Sequence, residues 1–188
     1  MNEYITDALV LDIEDSGDLD QLIYFYTPTL GKIRAKAKSI RKITSKLAGH
    51  LQPLSISKVR LVEKNGFQVV DAILIRQIEK SSEAIALLQF IKEMTFEGNQ
   101  DKKLWLTLKK SFEDLKSRRE AGTPTEASGL KKFSFKPLLN VLGFATDYAT
   151  CNVCKNKKVD YFSTKEHLFL CAKCIGKIPK NEVVLISK

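Results

Sequence analysis

The sequence predicts an α+β chain in three segments: a β-rich part over residues 1–78, a helical part over 79–145, and a short C-terminal segment over 146–188. Three observations carry this reading. Turn-bounded runs rich in Val, Ile, Tyr and Phe crowd the first segment, apolar residues recur at steps of three and four in the second, and two Cys-x-x-Cys pairs mark the third. At 188 residues with 44% apolar and 28% charged residues, the composition is that of an ordinary folded chain.

Tyr4 to Ile13 reads as a first strand, and Asp15-Ser16-Gly17-Asp18 as the turn after it. Gln21 to Thr27 is a second strand, and Pro28 to Gly31 turns into a third. Ile56 to Val62 and Phe67 to Ile78 are a fourth and fifth, joined by the hairpin turn Lys64-Asn65-Gly66. Five short strands without a long helix suit a small barrel, and among such barrels that bind nucleic acid the OB-fold is the leading candidate.

The third strand is chemically distinctive. Lys32, Arg34, Lys36 and Lys38 alternate with Ile33, Ala35 and Ala37, so a period of two puts four cations on one face and a small apolar row on the other. They belong to a longer bias. Between Asp20 and Glu63 there is no acid, but there are Lys32, Arg34, Lys36, Lys38, Arg41, Lys42, Lys46, Lys58 and Arg60. The chain's net charge is +9, so the remainder sums to zero. A packed charge excess repels itself, and a polyanion such as nucleic acid accounts for its presence. The competing reading is that the acids of residues 1–20 (Glu3, Asp7, Asp12, Glu14, Asp15, Asp18, Asp20) pair with these bases across strands. Tyr24 and Tyr26 share a strand face and are the candidates for stacking on bases, whereas Phe25 faces the core.

The helical segment opens with Ala84, Leu87, Leu88, Ile91 and Met94-Thr95 on one stripe, ended by Gly98-Asn99. Asn99 or Asp101 can cap the next helix, with Leu104, Trp105, Leu108, Phe112 and Leu115 as its stripe and Trp105 in the core. A third helix is expected from about Thr125, interrupted or restarted near Pro137, to Leu142, with Gly143 as its stop. Acids and bases balance between Glu79 and Leu130, so this part shows no polyanion bias.

Cys151, Cys154, Cys171 and Cys174 form two knuckles that can aim four thiolates at one point, flanked by short strands at Val159 to Ser163 and His167 to Leu170. One structural zinc per chain is the expected cofactor; iron–sulfur, a redox dithiol or loss of the metal are the alternatives. The surrounding Lys155, Lys157, Lys158, Lys165, Lys173, Lys177 and Lys180 can either contact phosphates or offset the thiolate charge.

No catalytic residue is expected. His50 and His167 have no acid–base neighbour in the sequence, the cysteines are engaged, and Gly31-Lys32 lacks the rest of a phosphate-cradling loop. Asp12, Glu14, Asp18 and Asp20 could in principle hold Mg²⁺ for a nuclease, but such a cluster at a turn is far more often simply solvated. No apolar run reaches the roughly 20 residues a membrane span needs, and Met1-Asn2-Glu3-Tyr4 is unlike a signal peptide. A cytoplasmic, nucleoid-associated chain is the expectation.

Taken together, the segments resemble the bacterial recombination mediator RecO family. The resemblance rests on Ala8-Leu9-Val10-Leu11 with Asp20 to Thr27, and on the run Gly31 to Lys38. It continues through Arg41-Lys42, Ser45-Lys46-Leu47, Gly49 and Leu51-Gln52-Pro53, then Phe135, Leu139 and Leu142-Gly143-Phe144 leading to Cys151. Ser39 stands where the family usually has glycine, and Ile43 near a usual proline. The resemblance implies a non-catalytic protein that binds single- and double-stranded DNA and anneals complementary strands. It also implies engagement of RecR and of the single-strand-binding protein SSB, and help in loading the recombinase RecA. The alternatives are an OB-fold and zinc-ribbon protein acting on RNA, and a scaffold gripping an acidic protein tail.

Overall fold

The computed structural model describes residues 2–120, 133–179 and 182–186. Five strands make a closed barrel: β1 (Asn2–Asp15), β2 (Gln21–Thr27), β3 (Gly31–Ala37), β4 (Ser55–Glu63) and β5 (Phe67–Gln77), in the order β1-β2-β3-β5-β4. This is the OB arrangement of a five-stranded barrel. β1 is long because it serves two neighbours. Asn2 to Leu9 pair with β4, and Leu9 to Asp15 pair with β2, with a bulge between Val10 and Asp12 where the strand bends. β3 closes the barrel through a short parallel ladder, Ala35 to Phe67 and Lys36 to Gln68.

Alternation fills the interior. Ala8, Val10, Ile23, Phe25, Ile33, Ala35, Ala37, Val59, Leu61 and Val69 point inward and form one core cluster. Leu9 and Leu11, on the opposite face of β1, are buried as well. The outer wall is therefore covered there, and the unbroken run Ala8-Leu9-Val10-Leu11 is a strand buried on both faces.

The cover is α1 (Ser82–Met94), which lies against β1. Ser81 caps it, its hydroxyl oxygen accepting from the Ala84 N–H at 3.0 Å, and Ala84, Leu87, Phe90, Ile91 and Met94 are its buried stripe. The helix stops at Met94 and not at Gly98-Asn99, where the glycine suggests a stop. Thr95 turns extended, and its hydroxyl donates to the carbonyl of Ile91. Residues 96–99 then run beside the start of β3, where Gly98 N–H donates to the Lys32 carbonyl at 3.0 Å. Gly31 permits this approach: its φ is +67°, and a Cβ there would meet the Asn99 carbonyl oxygen at 2.2 Å.

α2 (Lys102–Glu120) is capped by Asp101, whose carboxylate accepts from the Leu104 N–H at 2.9 Å. The chain forms two compact units, Met1–Trp105 and Leu106–Lys188, and the division falls within α2. In the second unit α3 (Lys136–Val141) carries Pro137 in its first turn, and Gly143 follows with φ +89°. The part of the expected third helix between 125 and 132 lies outside the described residues. A three-stranded sheet follows, β6 (Tyr161–Ser163), β7 (Leu168–Leu170) and β8 (Val183–Leu185), in the order β7-β6-β8. β8 is an addition to the strands expected from the sequence. It ties the residues just before α3 to the last described strand, since Phe135 N–H donates to the Leu185 carbonyl and Ser134 Oγ to that of Ile186. Among the described residues no helix is long and apolar enough to cross a membrane.

Candidate nucleic-acid interface and metal-binding cluster

The outer wall of β1-β2-β3 carries three cross-strand rows: Leu9–Tyr26–Lys32, Asp12–Tyr24–Arg34, and Glu14–Leu22–Lys36. Ile33, Ala35 and Ala37 are buried between the outward cations, which is the alternation the sequence shows.

The first row is closed. Lys32 Nζ donates to the carbonyl oxygens of Lys92 at 2.6 Å and Thr95 at 3.1 Å, the free acceptors at the end of α1. Burial pushes its pKa down from the ordinary lysine value. Tyr26 is 0% exposed, lies 6.2 Å from the Trp105 ring, and its hydroxyl donates to the Asp101 carbonyl at 3.4 Å. Burial raises the Tyr26 hydroxyl far above the usual phenol range. These two expectations are therefore corrected. Tyr26 has no free ring face for a base, and the half-buried Lys32 has its ammonium engaged at a helix end. The physical reason is that an alternating strand shows which residues face outward but not which of them another element covers.

The other two rows are open but contested by acids. Arg34 lies 3.9 Å from Glu97, Lys36 is 3.0 Å from Asp20, and Arg41 is 3.2 Å from Asp15. On β4, Arg60 is 3.3 Å from Glu3. The pairing anticipated for the N-terminal acids is thus realised, and Glu97 joins it from the segment after α1. Asp20 also accepts the Ser39 N–H at 2.7 Å, and this bond, followed by Lys36, holds its carboxyl below the usual range. Exposed pairs of this kind contribute about 0–1 kcal/mol each, so a phosphate can displace the acid at small cost. Lys38, Lys42, Lys46 and Lys58 are exposed and make no ion pair among the described residues.

Tyr24 is half-buried between Asp12 and Arg34, and its hydroxyl donates to Glu14 Oε2 at 2.9 Å. That hydrogen bond, ahead of burial, raises its pKa. His50 braces the loop between β3 and β4: its Nδ1 accepts from the Leu74 N–H at 3.3 Å, and its carbonyl accepts the Ser55 and Ser57 hydroxyls.

In the second unit Cys151, Cys154, Cys171 and Cys174 come together, with their sulfur atoms all within 4.8 Å of one another. Cys154 Sγ and Cys171 Sγ are 3.6 Å apart, too far for a disulfide, and all four cysteines are free. A tetrahedral ion with sulfur bonds near ~2.3 Å would place its ligands about 3.8 Å apart, so the donor set fits a closed four-sulfur site. Local backbone builds each knuckle. Lys155 N–H donates to the Cys151 carbonyl with Lys155 at φ +59°, and Cys174 and Ile175 N–H both donate to the Cys171 carbonyl. Asn152 joins the first knuckle to β7, its Oδ1 accepting from Phe169 N–H at 2.8 Å. Backbone N–H groups, first that of Cys154, draw the Cys151 thiol down to about 6. The Cys154 thiol pushes Cys174 up to about 12. Phe144 packs edge-on against Phe162, with ring centres 4.8 Å apart, which fixes this sheet against the turn after α3.

A closed five-stranded barrel with a basic outer wall, followed by helices and a four-cysteine cluster able to hold a metal ion, defines a class of small α+β protein. Comparison with known proteins narrows it. Residues 1–79 match the family described as Recombination protein O N terminal, and residues 75–185 match Recombination protein O C terminal. The chain belongs to the Recombination protein O family. It is 26% identical over 186 residues to the DNA repair protein RecO of Dehalococcoides mccartyi strain 195, covering 92% of this chain and 70% of that one. It is 24% identical to the DNA repair protein RecO of Thermodesulfovibrio yellowstonii, covering 91% and 70%. It is 26% identical to that of Bacillus velezensis, covering 92% and 69%. Family membership carries a DNA repair and recombination role.

Proposed function

We propose that this chain is a non-catalytic recombination mediator. It binds single- and double-stranded DNA along the open part of the barrel wall and anneals complementary strands. The observation that supports this best is the track formed by Arg34, Lys36, Lys38, Arg41, Lys42 and Lys46, exposed or half-exposed and held only by weak surface pairs. Cations on such a track neutralise phosphates without reading bases, so two strands can be shielded while their base edges stay free. Tyr24 remains the one stacking candidate of the two tyrosines. The absence of turnover is consistent with His50 and the cysteines, which serve the fold.

The chain divides in this reading into a DNA-binding barrel over residues 1–78, a helical domain over 79–145, and a metal-stabilised segment over 146–188. Cys151, Cys154, Cys171 and Cys174 would hold one zinc ion in a purely structural role, because four protein ligands leave no open position for chemistry. The chain acts in the cytoplasm at the nucleoid, with RecR, on DNA coated by SSB, to help load the recombinase.

The test is annealing of complementary oligonucleotides without ATP, with and without SSB. Acceleration should fall as salt rises. Replacing Lys38, Lys42 and Lys46 by Gln should lower the single-strand salt slope by about 0.7 for each phosphate no longer neutralised. Unchanged annealing at saturating protein, or cleavage of the DNA, would refute the reading.

A further inference from the structure

The loop between β3 and β4 carries one residue that charge alone does not explain. Ile43 is 106% exposed, the most exposed large apolar side chain among the described residues. It sits among Arg41, Lys42 and Lys46, all exposed. The loop is anchored on both sides of it. Ile40 is 2% exposed within the barrel core cluster, and Leu47 packs against the same cluster. Between these anchors the backbone is turned on itself. Arg41 N–H donates to the Leu19 carbonyl at 3.1 Å, Lys42 N–H to that of Ser39 at 3.2 Å, and Ser45 N–H to that of Lys42 at 2.9 Å. A β-branched apolar side chain is thus displayed on a pinned turn between exposed cations on either side of it in the sequence.

We propose that Ile43 is a base-contacting tip: it lies against the face of an unstacked base in single-stranded DNA while Lys42 and Lys46 hold the flanking phosphates. This rests on the DNA-binding reading above. The charge of the loop selects a polyanion, and the apolar tip selects within that class. Nucleic acid presents an apolar surface beside its phosphates where a base is unstacked, as in a single strand, whereas a duplex hides its base faces in the stack. The contact is independent of sequence, because every base has such a face. Ile43 therefore favours single strands over duplex, which the cations alone do not.

The test compares Ile43→Ser with Lys42→Gln in the full chain, using oligo(dT) and a duplex of equal length across a salt series. Covering about half of the Ile side chain implies that Ile43→Ser weakens oligo(dT) binding about five-fold. Duplex affinity and both salt slopes should stay unchanged. Lys42→Gln should weaken both ligands and reduce both slopes. Ile43→Trp supplies a direct readout: the new exposed indole should be quenched by oligo(dT) and not by duplex. Equal affinity of Ile43→Ser and the parent for oligo(dT), or equal losses on both ligands, overturns the proposal. If the parent protein binds neither ligand, the DNA-binding reading itself fails, and the two failures are distinct.

Discussion

Replacing Lys32 by Met separates support of a helix end from neutralisation of DNA. Methionine keeps the aliphatic stem and removes the ammonium that donates to the carbonyls of Lys92 and Thr95. A hydrogen bond to a charged group contributes about 1.5–3 kcal/mol, against about 0.5–1.5 kcal/mol for a neutral pair. A positive charge at a helix C-terminus adds about 0.3–1 kcal/mol. Methionine regains part of this, because the ammonium's desolvation, which depresses its pKa, disappears. The net loss is about 2 kcal/mol. Trp105 is the sole tryptophan and is 5% exposed beside Tyr26, so its emission reports on the first unit. In urea, with m near ~2 kcal/mol per molar, the midpoint should fall by about 1 M. Single-strand DNA affinity should change less than about two-fold and the salt slope should not move, because Lys32 neutralises no phosphate in this arrangement. An unchanged midpoint with a several-fold loss of affinity would refute the argument and return Lys32 to the phosphate track.

Gly31→Ala should destabilise the barrel by more than about 2 kcal/mol in the same urea assay, since a positive φ and a backbone clash with Asn99 combine at one site; a stable variant would mean that residues 96–99 can move off β3. Asp20 has a depressed folded-state pKa, so its contribution is present above its unfolded value of 3.8 and is lost as pH falls below that through the folded value. Asp20→Asn should flatten that acid limb of the stability curve and, by releasing Lys36, tighten DNA binding; weaker binding would count against competition between Asp20 and phosphate. Chelation should unfold the cysteine-bearing sheet, seen as loss of amide protection in β6 and β7, and leave Trp105 emission unchanged, because metal binding and local folding are coupled. Purified protein without bound zinc would contradict the identity proposed for the metal.

The barrel is legible in the sequence because its wall is one strand thick and each strand has two faces. Ile33, Ala35 and Ala37 can be placed inside from alternation alone, and the structure buries them. The cysteine spacing is equally legible, since two turns of fixed length leave few ways to arrange four sulfurs. Legibility ends where distant segments meet. Nothing in β2 or β3 shows that Tyr26 and Lys32 lie beneath elements that begin 50 and more residues later, although the double-sided apolar run of Leu9 and Leu11 hints at a cover. The end of α1 depends on the same meeting. A glycine at 98 looks like a helix stop, but Lys32 takes the carbonyls of Lys92 and Thr95 before the chain reaches it. β8 escapes notice because three residues of a short apolar run carry too little pattern to identify a strand.

The parallel junction between β3 and β5 has its own consequence. Only two residue pairs join these strands, whereas every other seam of the barrel is a longer antiparallel ladder. A closed cylinder yields at its shortest stitch, so transient opening should begin where Ala35 meets Phe67 and Lys36 meets Gln68. Opening there turns the cylinder into a curved sheet with β3 at its border, and the loop that follows swings with it. The strand that carries the cations is then the free edge of the opened sheet, still laddered to β2. Breathing of the barrel is thereby directed to one seam, while its four antiparallel seams stay paired.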